Sequence, residues 1–307
     1  MYYGWLFGIF LSLAASLFGT VGKVLMKLAH KRHGNTALFA GAFVCVILLN
    51  PVFDAWSYSF AAQSVLAPMA GFSVVWNIVL SPFVLKEQLS DQVIHGSSII
   101  LIGCGLVSMS GDHASPTHTP DQLYALFTET IFIVYATIAI TACAGMSYIV
   151  HTFPHASYTR RFAFGALAGL VGGNLYFMKT SVELIGNGGD IWNYTGTYLI
   201  FGGALGSAAG GIFVLNLGLK EYDALYVVAV YESFLILCGS ISGVIFFRED
   251  HGMQDWWQVI LYPVAIVTTV VGVVVLSRQP SQTATLDEES APLIDQTKTT
   301  KLVLNDL

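Results

Sequence analysis

Two carboxylates stand in stretches of sequence that are otherwise apolar. Glu232 lies between Tyr231 and Ser233, about nine residues into an apolar run that begins near residue 223. Asp54 follows Asn50 by four residues near the end of another run, with Pro51 between them and Trp56 just beyond. A carboxylate in hydrocarbon costs several kcal/mol, so each must face a cavity, a partner or a proton. The i, i+4 spacing puts Asn50 and Asp54 on one helix face. Pro51 loosens the backbone there and can free a carbonyl. Oxygen donors of this kind suit a hard cation. Asp54 and Glu232, one from each half of the chain, are the candidate metal ligands. Two plainer readings stand beside this one: a protonated or locally hydrogen-bonded structural Glu232, and an Asp54 at the outer headgroups.

Other polar groups share the apolar runs. Lys179 and Glu183 are i, i+4; they form either an ion pair near the outer end of a helix or a gate and counter-charge in a pathway. Lys23 and Lys27 have the same spacing. Lys27 is expected to snorkel to the cytosolic interface; Lys23 lies deeper and could meet an anion, but snorkelling is the expectation for it too. Asn77, Asn174 and Asn216 offer amide oxygens as ligands or as interhelical hydrogen bonds, and Ser73 and Gln63 are weaker candidates of that sort. Pro68 leaves a carbonyl unpaired, while Pro82 and Pro263 read as kinks. His113, His118, His151 and His155 have no metal spacing. Cys45, Cys104, Cys143 and Cys238 form no C-x-x-C and read as small packed apolar residues. P-loop, G-x-S-x-G and H-E-x-x-H patterns are absent from the sequence, so neither a cofactor nor an enzymatic activity is expected.

The elements that position these groups follow from composition. Of 307 residues, 55% are hydrophobic and only 10% charged, against about 25% charged in a soluble domain. Mean hydropathy is +0.67. The net charge is −6 with no basic stripe, which excludes a nucleic-acid binder. An all-α polytopic membrane protein remains, its solvent the lipid bilayer, because only segments that satisfy their own backbone can cross. Nine apolar segments are long enough to span: about 4–28, 36–58, 61–85, 94–111, 123–150, 162–185, 194–217, 223–247 and 256–277. Residues 278–307 are polar and read as a disordered tail.

Positive charge orients the bundle. Lys27, Lys31 and Arg32, then Lys86, then Arg160 and Arg161, then Lys220, and finally Arg278, Lys298 and Lys301 fall on one side if the N-terminus is outside or lumenal. The C-terminus is then cytosolic. The sequon Asn193-Tyr194-Thr195 falls on the outer face as a glycosylation candidate. In the tail, E-S-A-P-L-I has the form of an acidic dileucine sorting signal with Glu289, Leu293 and Ile294. Such a signal is read by clathrin adaptors and would point to an endosomal, lysosomal or vacuolar membrane; the plasma membrane stays open.

The chain also repeats itself. F-V-L-K-E ends the third segment at Lys86-Glu87, and I-F-F-R-E ends the eighth at Arg248-Glu249, 162 residues on. At the same offset Ala67 meets Ala229 and Phe72 meets Phe234. L-A-A-S-L-F-G from Leu13 resembles L-A-G-L-V-G-G from Leu167, and G-L-V-S from Gly105 resembles G-V-V-V from Gly272. Equivalent segments are five crossings apart, an odd number, so the halves enter the membrane inverted, an arrangement typical of secondary transporters. The expected organisation is a first half-bundle in 1–150, an inverted second half in 151–277 and the tail. Tandem bundles that merely pack well, helped by 30 glycines, are the alternative.

Y-S-F-A-A-Q-S-V-L-A-P-M-A-G-F-S-V from Tyr58, S-P-F-V-L-K-E-Q-L from Ser81, H-G-x4-L-I-G-C-G from His95 and V-L-N-L-G-L from Val214 resemble the NIPA-type magnesium transporters of the drug/metabolite transporter superfamily. Lys179 also matches a lysine of that family. The resemblance covers residues 4–277 and implies a nine-helix carrier or channel for Mg²⁺, with other divalent cations as alternative cargo. The sequence departs from the pattern at Asn50-Pro51, at Leu66-Ala67-Pro68, at Val227-Val228-Ala229, and at Glu232 after Tyr231. The expectation is alternating access with Asp54 and Glu232 on the ion. The alternatives are a proton-coupled carrier in which Glu232 cycles a proton and Tyr231, Tyr226 and Trp76 stack on an organic solute, and a non-transporting receptor or scaffold. A homodimer stays open.

Overall fold

The computed structural model describes residues 4–32, 35–60, 66, 69, 71–86, 89–110, 118–188, 191–248 and 255–277. Gln63, Ala67, Pro68, Glu87, His113, Glu249 and the whole tail, with Glu289, Leu293 and Ile294, lie outside the described residues.

Among the described residues the secondary structure is helical throughout, without strands. The helices are α1 (Gly4–Lys31), α2 (Thr36–Ser57), α3 (Phe72–Leu85), α4 (Asp91–Ser110), α5 (Pro120–Leu126), α6 (Thr130–Thr152), α7 (Tyr158–Gly172), α8 (Leu175–Asn187), α9 (Thr195–Glu221), α10 (Ala224–Phe247) and α11 (Trp256–Ser277). Five of them, α1, α2, α6, α9 and α10, are long and apolar enough to cross a membrane. α3, α4 and α11 carry shorter apolar stretches.

Two expected spans are divided. The run 123–150 becomes α5 and α6, because Thr119 and Gln122 form a capping box that starts α5, and the hydroxyl of Thr128 donates to Ala125 O at 2.7 Å as the helix closes. The run 162–185 becomes α7 and α8. There Gly173 and Asn174 leave the helical path, and Asn174 Nδ2 donates to the orphaned carbonyls of Leu170 and Val171 at 3.3 and 2.8 Å. α7 also begins earlier than expected, so Arg160 and Arg161 lie in its first turn rather than in a loop.

Proline shapes α2 and α3. A π-helical stretch, Val44–Leu49, precedes Pro51, and another, Ser81–Leu85, contains Pro82. Proline lacks an amide hydrogen and crowds the carbonyl four residues back, and the wider π turn accommodates both. α3 and α10 both end on a left-handed cation: Lys86 at φ 57° and Arg248 at φ 53°, the positive-φ residues other than glycine among those described.

α10 is the centre of the bundle. Every residue from Ala224 to Ser233 is buried. α1 packs on α2 and α3, and α7 packs on α9 and α10. α4 lies along α11, with Gly103 against the backbone of Ala265 and Thr269 and Gly272 against Ile100. By contrast α6 turns Ile131, Ile133, Val134, Ile138 and Ile140 outward. A continuous apolar face of that kind belongs against lipid. At one end Arg160 donates to Val150 O and Tyr222 Oη at 2.9 Å each and pairs with Glu221, tying α6, α7 and α9 together. The four cysteines are free thiols.

Candidate cation site

A cavity of about 80 Å³ lies where α1, α2, α3, α8 and α10 meet. Helical periodicity builds its walls. Ser12, Ser16 and Lys23 recur on one face of α1, and Asn50 and Asp54 on one face of α2. Ser73 enters from α3 and Leu175 from the first turn of α8. Tyr231, Glu232 and Leu235 come from α10. The two acids singled out by sequence therefore face one void, together with Asn50 and Tyr231.

The site also contains a cation that was expected elsewhere. Lys23 does not snorkel: its ammonium donates to Glu232 Oε1, with 5% and 3% of the two side chains exposed. It lies 5.2 Å from the centroid of the Tyr231 ring. The pull of a buried carboxylate outweighs a reach to the headgroups, because a charge left unpaired in the interior costs several kcal/mol. Lys27 also has partners within the protein. It donates to Tyr222 O and, at 2.8 Å, to Leu219 O, at the electronegative C-terminal end of α9.

Local packing sets the remaining geometry. Thr20 Oγ1 donates to Ser16 O at 2.9 Å and lies 3.3 Å from Ser73 O, stitching α1 to α3 beside the void. Gly19 makes room for Asn50: a Cβ at this position would lie 2.3 Å from Asn50 Nδ2. The break before α8 places Leu175 in the wall, so a helix running straight through 162–185 would build a different cavity.

The other candidates lie apart from this lining. Asn77 Nδ2 donates to Ala224 O at 3.3 Å while its Oδ1 accepts from Ser81 Oγ at 2.8 Å, joining α3 to α10. Asn216 Oδ1 is 3.0 Å from His30 Nε2, joining α9 to α1. Asn174 caps α7 through the carbonyls named above. Lys179 lies 3.9 Å from Glu183 and 4.0 Å above the Phe247 ring, and Glu183 meets His118 Nδ1 at 3.1 Å. Asn193 is exposed in a short 3₁₀ turn, Ile191–Asn193. Tyr226 stacks on the Arg161 guanidinium at 3.9 Å. Sequence reasoning missed Ser12, Ser16, Leu175 and the Lys23 pairing; the 12, 16, 23 recurrence on α1 was the available signal.

Chemically, the lining combines two carboxyl groups, an amide, serine hydroxyls and one ammonium. These are hard donors, and a divalent ion that keeps most of its water needs only one or two carboxylates from protein. Among the described residues no group of three or more His, Cys, Asp or Glu forms a metal cage. A second cavity, of about 550 Å³, is lined by Tyr124, Phe127, Phe177, Tyr194, Leu199 and Ile200 and their neighbours Thr195 and Gly196, with no charged group among them.

Comparison with known proteins gives consistent results. A family model described as Magnesium transporter NIPA matches residues 3–281. Among curated relatives, Probable magnesium transporter NIPA8 of Arabidopsis thaliana is 26% identical over 288 residues, covering 80% of this chain and 63% of the relative. The chain thus spans less than two thirds of that relative's length. Probable magnesium transporter NIPA6 is 22% identical, covering 88% of this chain and 86% of its own, and NIPA1 is 20% identical, covering 79% and 77%. Both are also from Arabidopsis thaliana. No solved structure matches the chain.

Proposed function

The chain belongs to the magnesium transporter NIPA family, an integral membrane protein, and from that premise we propose that it moves a divalent cation, Mg²⁺, through the cavity flanked by Asp54 and Glu232. The observation that carries this reading is the convergence of those two acids, 178 positions apart in sequence, on one void. The arrangement brings two carboxyl groups from different helices to one void, which suits a partly hydrated ion held without a full protein cage.

The ion's passage follows from alternating access between inverted halves, residues 1–150 and 151–277. Several features support the inversion. The motif-matched residues Lys86 and Arg248 share one uncommon backbone conformation at the ends of α3 and α10. The packing of α1 on α2 and α3 has its counterpart in α7 on α9 and α10, and α4 meets α11 directly. A site between such halves is exposed to each side in turn as they rock. With the N-terminus outside and the tail in the cytosol, entry of two positive charges at −100 mV gains about 4.6 kcal/mol, so the potential alone can drive uptake.

The cavity volume also favours an ion over an organic solute. At about 80 Å³ it falls well below the ~300–1,000 Å³ of small-molecule pockets. Purified protein in liposomes loaded with a Mg²⁺-sensitive dye tests the proposal. Wild type should admit Mg²⁺ under an inside-negative potential, and Asp54→Asn and Glu232→Gln should each abolish uptake at equal reconstitution. Wild-type rates in both variants would refute the site.

A further inference from the structure

The cavity proposed to receive a cation already contains one. Lys23 projects from α1, seven residues beyond Ser16, and its ammonium holds Glu232, a ligand an incoming ion would need. Glu232 Oε1 cannot serve both fully: Mg²⁺ binds oxygen at about 2.0–2.1 Å and repels a neighbouring ammonium strongly in a medium of low polarity. Either the ion avoids Glu232 or Lys23 gives way.

The surroundings let it give way. The Tyr231 ring already lies 5.2 Å from the ammonium, and an aromatic face is a seat for a cation that has lost its carboxylate. The serines on α1 and α3 offer further oxygen partners within the same void. Lys23 also solves a problem of the unloaded state. Two carboxylates lining one void repel, and the ammonium offsets one of them.

We propose that Lys23 is the site's resident counter-cation, displaced from Glu232 by the arriving divalent ion and returning to expel it, so that this lysine sets affinity and release. The inference rests on reading the cavity as the ion's binding site. It makes Lys23 a competitor of the cargo rather than a ligand. The competition is reciprocal: whatever the lysine costs the ion in binding, the ion costs the lysine in pairing.

Mg²⁺ uptake into dye-loaded liposomes, measured over a range of external Mg²⁺, separates the possibilities. Lys23→Met should lower KM by about fivefold or more, the low end of ordinary coupling between sites. It should also lower kcat, because nothing then displaces the ion or balances the empty site. Lys23→Arg should raise KM, since a guanidinium grips a carboxylate with two parallel hydrogen bonds. A purely structural Lys23 would give a lower yield or kcat in the Met variant with KM at the wild-type value in both variants, and that result overturns the inference. If Lys23→Met fails to fold, Lys23→Arg decides alone: a raised KM supports the proposal and an unchanged KM overturns it. Wild-type protein that admits no Mg²⁺ overturns the binding-site reading and the inference with it. Active wild type with unmoved KM values overturns the inference only.

Discussion

Among the described residues, two lysine–glutamate pairs lie within the bundle, and they differ in almost everything except residue type. Lys23 and Glu232 come from different helices, α1 and α10, 209 residues apart, and their cavity holds a second acid, Asp54. Lys179 and Glu183 lie one turn apart on α8, closed over by Phe247 and braced by His118 and Asn187. The second cluster lines neither of the two cavities described above. Burying charge has a cost in both places. In the first, the arrangement leaves free volume and sets two acids against one ammonium; in the second, the space is filled by an aromatic ring and the glutamate is shared between two neighbours. Free volume beside a second acid therefore distinguishes the two regions more sharply than burial of the charges themselves.

The sharpest way to break the comparison is to remove one acid from each pair. Glu232→Gln strands the Lys23 ammonium in the interior and should cost about 3–5 kcal/mol of stability, while Lys23→Met/Glu232→Gln, which removes both charges, should recover most of it. Unfolding in detergent by denaturant or heat reads the four corners of this double-mutant cycle. Glu183→Gln should cost far less, because glutamine still accepts a hydrogen bond from His118 and Lys179 keeps its seat over Phe247. Equal penalties at the two pairs would mean that the cavity confers nothing special on the first.

The two regions were also unequally legible from sequence. A carboxylate in an apolar run is conspicuous, so Asp54 and Glu232 stood out before any fold was known. Only the repeat, which puts one acid in each half, pointed to their convergence. Lys179 and Glu183 were visible as a pair because i, i+4 is a local relation. Lys23 and Glu232 form a tertiary contact, and hydropathy carries no information about which face of α1 meets α10. The five long spans were readable for the same reason that the breaks were not. Apolar composition measures solvent, and lipid or a packed interior accepts a broken helix as readily as a straight one once the freed carbonyls are capped. Gly172-Gly173-Asn174 held the clue to the break, since adjacent glycines and an asparagine favour a helix end. Pro51 and Pro82 did announce trouble in the right places, but the π turns that absorb it are a response of the backbone that composition alone does not specify.

A gentler probe enlarges one side chain at the first region. Gly19→Ala places a Cβ within 2.3 Å of Asn50 Nδ2, too close for either atom to stay. The amide is the movable end of its side chain, so the helices should hold and Asn50 should rotate within the cavity wall. The expected outcome is normal folding with a raised KM for Mg²⁺, by about threefold to tenfold, equivalent to about 0.7–1.4 kcal/mol of lost ion binding. Asn50→Ala should reproduce the KM without the crowding. If Gly19→Ala instead unfolds the protein, the glycine serves the α1–α2 approach and the amide contributes little to the ion.

The smallest effect belongs to the second region. Lys179→Met keeps most of the side-chain volume over Phe247 and removes the charge. Glu183 retains His118 at 3.1 Å, and Asn187 Nδ2 still donates to the carbonyls of His118 and Glu183 at 3.0 and 2.9 Å. With His118 still on Glu183, losing the 3.9 Å ion pair should cost less than the ~3–5 kcal/mol of a stranded buried charge, so the melting temperature should fall less than in Glu232→Gln. KM for Mg²⁺ should stay at the wild-type value, because neither residue shares the cavity of Asp54 and Glu232. A KM that moves with Lys179 as it is expected to move with Lys23 would place both lysines on one ion path and turn the apparent strut into a gate.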